Sequence, residues 1–476
     1  MSIMKFNKYT LAFFHTLFFT GCIPSLVHKS ENRTVPSAYK DSQDTTNIAK
    51  VKWKEYFNDP YLNLLIDTAL KNNQDLNIVI QEINISQNEI RSRKGDYLPS
   101  IDIKASAGLD KMGRYTRLGS VDENLDIVPG KRFPQPFSDL LIAARASWEI
   151  DIWKKLRNAR KAAMHRYLSS MEGRNFMVTQ IIAEIANAYY ELMALDNQLE
   201  TLKKNIEIQQ NALRIVKLEK EAAKVTELAV RKFEAEVLKN QSRQFDIMQK
   251  ITETENRINF LIGRFPQPVL RHSETFIDLE LDTIYAGIPS QLLDNRPDIK
   301  QAEQDLQAAK LDIKAAKANF YPSLKITGGI GYNAYNAQYF FSTPESILYY
   351  LAGDLVTPLI NRNAIKAYYY SASARQIRAV YNYERTLLKA YVEVANQLAN
   401  ISNMQQSFNL KTQQVEALTR SIDISTTLFN SARADYMEVL MTQRDALDSK
   451  FELIETKKSQ MNAKVNIYQA LGGGWN

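Results

Sequence analysis

A block of sequence that occurs twice restricts this chain more than any local motif does. One copy begins at Asp75 and ends in Leu98-Pro99-Ser100-Ile101-Asp102-Ile103-Lys104-Ala105-Ser106-Ala107-Gly108. The other begins at Asn295-Arg296-Pro297-Asp298 and ends in Tyr321-Pro322-Ser323-Leu324-Lys325-Ile326-Thr327-Gly328-Gly329-Ile330-Gly331. At one constant offset Asp75 meets Asp298, Ile90 meets Ile313, Lys94 meets Lys317 and Pro99-Ser100 meets Pro322-Ser323, with no gap. A repeat of such long period means that one supersecondary unit is built twice, so the 476 residues read as two similar halves of one architecture.

Each copy changes period at its proline. Before it, apolar residues recur at helical spacing; after it they alternate. Ile101, Ile103, Ala105, Ala107 and Leu109 share one face, and Asp102, Lys104 and Ser106 the other. Leu324, Ile326, Gly328, Ile330 and Tyr332 repeat this against Lys325 and Thr327. A 3.6-residue period giving way to a two-residue period reads as helix, stop, strand. The proline enforces the stop by excluding its predecessor from the helical region. Residues 139–151 alternate again, with Leu140, Ile142, Ala144, Ala146, Trp148 and Ile150 opposite Arg145, Ser147, Glu149 and Asp151. The stretch therefore reads as a hairpin over 99–150 with one apolar and one charged face. Each strand is about 10 residues, the length that crosses a tilted bilayer span. Asp102, Lys104, Arg145 and Glu149 are the charged-face candidates.

The helical parts are long. From Ile152 to Lys220 there is no proline and only one glycine, Gly173, so a single helix on the order of 100 Å is expected. Its seam runs Ile185, Ala188, Leu192, Leu195, Leu199, Leu202, Ile206, Gln209, Leu213, Val216 in steps of three and four, a coiled-coil pattern. Thr226 to Ile262 has its own seam, with polar Asn240, Gln244 and Thr254 between apolar positions, and a turn near 222–226 makes an antiparallel hairpin. The second half repeats the order, and its return helix places Leu440, Leu447, Ile454, Met461 and Tyr468 seven residues apart.

The ends and connections divide the chain. Residues 1–21 read as an export signal: Lys5 and Lys8, then an apolar run from Leu11 to Phe19 that is too short to span a bilayer. Cys22 is the only cysteine, so no intramolecular disulfide forms. Its setting, Thr20-Gly21-Cys22, resembles a bacterial lipoprotein cleavage site, with Phe19 where leucine is more usual. An ordinary signal peptide with an incidental cysteine is the competing reading. Residues 22–55 read as an extended polar tether, 56–263 as the first repeat, 264–296 as a connector, 297–472 as the second repeat with its hairpin over 322–357, and 473–476 as a tail. Residues 110–138, rich in Gly and Pro, read as a long surface loop.

Several chemistries are set aside. The net charge of +7 is mild and no dense basic patch is interleaved with aromatics, so nucleic acid is not expected. The four histidines are scattered, without ligand spacing, so no metal is expected. Gly328-Gly329-Ile330-Gly331 lies in an alternating strand with no Lys-Ser/Thr after it, and reads as barrel curvature rather than a phosphate loop. No Ser-His-Asp or Cys-His set appears, so neither an enzyme nor a cofactor is expected. Tyr368-Tyr369-Tyr370 reads equally as an interfacial aromatic girdle or as core.

Four two-faced strands cannot stand alone in hydrocarbon, because the outer edges leave backbone groups unpaired at several kcal/mol each. Other copies must complete the wall; two give about eight strands and three about twelve. Here a family resemblance enters. Cys22, the paired Leu98-Pro99-Ser100 and Tyr321-Pro322-Ser323, Arg296-Pro297-Asp298-Ile299 followed by Ala302-Glu303, and the ending Leu471-Gly472-Gly473-Gly474-Trp475 together resemble the lipoprotein branch of the TolC-like outer-membrane efflux factors. The resemblance covers nearly the whole mature chain. It implies a mainly helical homotrimer, its coiled-coil hairpins forming an α-barrel continuous with a small twelve-stranded membrane β-barrel. It also implies a periplasmic adaptor and an inner-membrane pump as partners, outer-membrane lipid around the barrel, and passive conduction. Cys22 would carry the lipid, and Ile23 in place of Asp favours the outer membrane of a Gram-negative cell.

The resemblance further places the periplasmic gate at 222–230 and 432–440, making Lys224, Glu227, Arg433, Asp435 and Glu438 the tip candidates. Arg433 and Asp435 are candidate partners in closed-state ion pairs. Glu438 matches a position where the family often has an acid, and a ring of its symmetry mates would disfavour anions. The family commonly has glycine in each tip turn, whereas this chain has Ala223-Lys224 and Ala432-Arg433. A duct for secreted polypeptides and a lipid-anchored coiled-coil scaffold without a pore are the alternative functions.

Overall fold

The computed structural model describes residues 23–27, 29–39, 44–280, 284–431 and 433–475. The export signal, Cys22 and Ala432 lie outside the described residues. In chain order the elements are α1 (Trp53–Phe57), α2 (Pro60–Asn72), α3 (Gln74–Tyr97), β1 (Ser100–Asp110), α4 (Arg117–Asn124), β2 (Asp126–Val128), β3 (Lys131–Arg132), β4 (Phe137–Ile150), α5 (Lys155–Glu221) and α6 (Glu227–Leu261). Then follow α7 (Leu292–Asn295), α8 (Pro297–Ala318), β5 (Ser323–Ala334), β6 (Ile347–Val356), α9 (Asn363–Asn430) and α10 (Tyr436–Ala470). Residues 110–138 are therefore not a bare loop, since α4 and the β2–β3 ribbon lie inside them. Helices α2 and α3 part at Asn73, whose side chain caps α3 by accepting the Leu76 N–H at 2.9 Å. Helix α3 ends at Tyr97, two residues before the proline that opens the strand.

The duplication is visible as two offsets. The α3–β1 and α8–β5 junctions are 223 residues apart, as Ser100 and Ser323 show; α6 and α10, each of 35 residues, are 209 apart. The fall arises chiefly in the outer turn, where 26 residues separate β1 from β4 and 12 separate β5 from β6. The long helices agree to within a residue (67 and 68, 35 and 35), whereas the outer turn differs and the returning strand has 14 residues in the first copy and 10 in the second.

The chain forms two compact units. One comprises Asn84–Leu168 and Gln304–Tyr381 with the described residues before Glu31; the other comprises Glu31–Ile83, Ser169–Glu303 and Asn382–Asn476. The first unit holds a four-stranded antiparallel sheet in the order β1-β4-β5-β6. Asp151 links β4 to α5 as a buried cap, accepting the N–H groups of Leu156 (3.0 Å) and Arg157 (2.9 Å). Where the second repeat leaves its sheet, Tyr369 is core with Ala316, Phe320 and Ala372, while Tyr368 and Tyr370 are about half exposed.

The second unit has a core running through α2, α5, α6, α9 and α10, with Leu62, Ile66, Ile185, Tyr189, Leu192, Ile258, Tyr383 and Tyr468 almost fully buried. Along α5 the seam residues Leu202, Ile206 and Val216 are buried against α6 and α10. Gln209 falls in this seam, 1% exposed, and accepts a hydrogen bond from the equally buried Asn240 at 2.8 Å. One matched polar pair inside an apolar seam fixes register, because a slip would leave both amides unpaired.

The N-terminal stretch is not a free tether. In the first unit, Ile23 and Leu26 pack on the Phe320–Tyr369 cluster, and Gln376 donates to the Lys29 carbonyl at 3.0 Å. In the second, Arg33 pairs with Glu303 (2.7 Å), Tyr39 stacks on Tyr391 (5.5 Å) and Tyr56 stacks on Tyr468 (4.2 Å). An irregular strap has no period to read, so polar composition alone misplaced it.

Tyr39, Tyr189 and Tyr468 are buried in this second unit, and burial pushes all three hydroxyls above the ordinary tyrosine range; Asp59 adds to this at Tyr189. The folded protein keeps protons that the unfolded chain releases near pH ~10, so this stabilisation is complete below that pH and declines above it. Thermal unfolding midpoints should therefore fall as pH rises past ~10, and less steeply in Tyr468→Phe, which removes a titrating group. Parallel slopes in the two proteins would refute this account.

Candidate functional site

The alternating strands give the sheet two faces. Register places Ile101, Ile103, Ala105 and Ala107 of β1 beside Ala146, Ala144, Ile142 and Leu140 of β4. Ile142, Ala144 and Trp148 in turn pair with Tyr332, Ile330 and Ile326, and Ile330 with Tyr349. That face has no charged residue across all four strands. The opposite face carries Asp102 beside Arg145, then Glu149 beside Lys325 beside Asp354. Asp102 accepts from Arg145 Nε (3.1 Å) and Nη2 (2.5 Å), and Glu149 is ion-paired with Lys155. Lys104 lies across from Ala143 and, among the described residues, has no ion pair.

Gly331 shows how this polar face bends. A Cβ there would lie 2.1 Å from the Ile142 carbonyl oxygen and 2.5 Å from the Ala143 Cα, so only glycine admits the approach. The outer edges of the sheet are bare: every residue of β1 is exposed, as are eight of the ten in β6.

At the two helical tips the missing glycine has a visible consequence. Ala223 itself adopts φ +55°, the left-handed region. The Lys224 N–H closes on the Glu219 carbonyl at 2.9 Å and the Ala223 N–H on Lys220 at 3.0 Å, the paired bonds of a Schellman turn. The same closure recurs 209 residues on, from the Arg433 N–H to the Leu428 carbonyl at 2.9 Å. Left-handed alanine costs about 1–2 kcal/mol, and glycine gives back about 0.4–1 kcal/mol in chain entropy. Ala223→Gly should therefore stabilise this hairpin by about 0.5 kcal/mol, read as a raised denaturation midpoint; a lowered one would contradict the strain.

Charge at the tips is arranged differently in the two repeats. Glu227 bonds Lys220 (3.1 Å) and Arg231 (2.9 Å), and these cations hold its carboxyl below the usual range. The residues 209 positions on are Tyr436, Phe429 and Leu440, with no charge. Asp435 caps α10, its carboxylate accepting the Met437 N–H at 3.4 Å. Lys224, Arg433 and Glu438 are exposed and, among the described residues, make no ion pair within the chain.

One joint is built twice with different chemistry. In the second repeat the buried Arg296 donates to both Asp298 oxygens (2.9 and 2.6 Å), to Glu393 (2.8 Å) and to the Ala470 carbonyl at the end of α10 (2.9 Å). In the first repeat Asn73 stands at its place and donates to the Leu261 carbonyl at the end of α6, at 2.8 Å. The glycines that follow those helices, Gly263 and Gly472, both have positive φ, and a Cβ on either would meet the Asn72 or Asn295 carbonyl within 2.6 Å.

The sequence profile of the outer membrane efflux protein family matches residues 65–264 and 288–473, most of the chain and both copies of this joint. The chain belongs to the outer membrane efflux protein family. It is 27% identical over 483 residues to the solvent efflux pump outer membrane protein SrpC of Pseudomonas putida, covering 99% of each. It is 24% identical over 473 residues to the cation efflux system protein CusC of Escherichia coli O6:H1, covering 98% of each. Among solved structures it resembles a membrane protein from Pseudomonas aeruginosa, with a TM-score of 0.83 at 21% identity over 94% of this chain and 99% of that one.

This efflux protein is thus an outer-membrane component of Gram-negative efflux, with the mainly helical fold of the TolC-like channels. Sequence reasoning used Arg296 as a family signature and missed what it does. The available signal was its neighbour: a carboxylate two residues after an arginine at a helix start can close a fork-to-fork pair.

Proposed function

We propose that three copies of this efflux protein close their sheets into one barrel of about twelve strands and conduct solutes passively across the outer membrane. The observation that carries this is the sheet: one face wholly apolar, the other charged, and both outer edges unpaired. Only edge-to-edge closure satisfies those edges in lipid. The apolar face then meets hydrocarbon, and Asp102, Lys104, Arg145 and Glu149 line the bore. The long α5–α6 and α9–α10 hairpins continue the tube into the periplasm, with the tips at 222–230 and 433–440 as the gate. An adaptor and an inner-membrane pump supply contact and energy. Cys22 carries the lipid anchor, and Glu438 with its symmetry mates biases the bore toward cations.

The relatives' names support a duct that does not itself select. They are a solvent pump, a pyoverdine exporter and a cation system, cargos with no shared chemistry. Selection then lies with the pump. The test is purified protein in planar bilayers: stepwise conductance from a heat-modifiable trimer is expected, and cation preference should drop in Glu438→Ala. A detergent-independent monomer without conductance would end this reading. Unchanged preference in Glu438→Ala would remove the ring alone.

A further inference from the structure

The turn between β5 and β6 folds back on the sheet. It carries Phe340 and Phe341, edge to face at 5.0 Å, and Phe341 sits edge to face with Tyr332 of the apolar face at 5.5 Å. The two rings and Ala337 wall a groove of about 490 Å³ that is lined below by Ala105, Ala107, Leu140 and Ile142 of the apolar face and by Ser106 and Leu141 between them. Ala105 and Ala107 leave a slot beside Leu140 and Ile142 that larger side chains on β1 would have filled. Phe341 stays 72% exposed among the described residues. The β1–β4 connection leaves the same end of the sheet. It exposes Lys111, Arg117, Lys131 and Arg132, none ion-paired among the described residues, whereas Arg114 is held by Glu123 at 2.8 Å.

We infer that this groove holds one acyl chain of a phosphorylated, multiply acylated glycolipid of the outer leaflet, whose phosphates meet the basic connection above it. The inference rests on the pore reading, which sets the apolar face against lipid. An apolar slot on a lipid-facing surface gains by admitting a chain rather than a void, since dispersion contacts are lost around empty space. The basic groups decide which lipid: phosphate oxygens accept charge-assisted bonds from Lys and Arg, and a zwitterionic lipid offers less. A neighbouring copy is the weaker occupant, because strand closure uses the hydrogen-bonding edge of β1 while this groove opens on the face.

The test uses the full chain in nanodiscs of phosphatidylethanolamine with added deep-rough lipopolysaccharide, and counts retained glycolipid by native mass spectrometry. Wild type should keep the glycolipid through detergent exchange. Ala105→Trp, which fills the slot, should retain it about tenfold less well, equivalent to about 1.4 kcal/mol. Phe341→Ser, which removes a wall without adding bulk, should weaken retention in the same direction and covers the case in which the tryptophan variant fails to assemble. Lys131→Glu with Arg132→Glu should weaken retention at low salt more than at high salt. Equal retention by wild type and both groove variants overturns the inference. So does a wild type that holds phosphatidylethanolamine as tightly as the glycolipid, or a map of the trimer with a neighbour's side chains in the groove. Conductance of the wild type in the same membranes reports on the pore separately, so failure of one reading is distinguishable from failure of the other.

Discussion

Arg296→Ala lowers the stability of the folded chain by about 3–5 kcal/mol, the cost of breaking a buried ion pair from one side. The substitution strands the Asp298 carboxylate, 14% exposed, and the Ala470 carbonyl, both of which Arg296 now satisfies. Asn73→Ala supplies the control. It removes the equivalent contact to Leu261, but the group lost is neutral, so the expected cost is about 1–2 kcal/mol. The measurement is the chemical denaturation midpoint of detergent-purified protein, with trimer yield alongside. Equal effects at the two joints would show that the charges at Arg296 contribute nothing beyond a hydrogen bond to a helix end. The positions matching Asp298 and Glu393 in the first repeat are Asp75 and Glu184, both exposed. The carboxylates of the clamp were thus kept in both repeats and its cation only in one.

Gly331→Val prevents the sheet from forming as described. Its Cβ would fall 2.1 Å from the Ile142 oxygen and 2.6 Å from the Ala143 Cβ, and the first of these belongs to backbone that cannot rotate away. Side-chain overpacking costs about 1–3 kcal/mol; pushing two paired strands apart costs more, because ladder bonds break with no water to replace them. The expected result is loss of heat-modifiable trimer from outer-membrane fractions. Gly353→Ala is the matched control in the neighbouring strand, since a Cβ there meets nothing within 4 Å. Normal assembly of Gly331→Val would mean that the sheet is less tightly bent than its geometry indicates.

The charged-face candidates came out of the sequence because a two-residue period assigns every side chain once the first is placed. Asp102, Lys104, Arg145 and Glu149 share a face for that reason alone. Their partners did not come out, since Asp102 and Arg145 are 43 residues apart and meet only through register. At the tips the family resemblance located both segments, while the capping role of Asp435 was not legible, because a cap and an ion-pair partner are the same residue type until the helix start is known. Ala223 was noticed as an absent glycine; that the alanine itself takes the left-handed conformation needed coordinates.

By itself the sequence determined what repeats and what alternates: two copies, strand faces, helix seams and the prolines between them. These are properties of neighbours along the chain, and a short window of residue types specifies them. Tertiary structure decided what meets across distance. It laid residues 23–27 and 29–39 along other elements as a strap, and put α4 and a ribbon into what read as a loop. It also joined Arg296 to a helix end 174 residues away. Such contacts depend on where separate elements come to rest, and no periodicity within either partner encodes that.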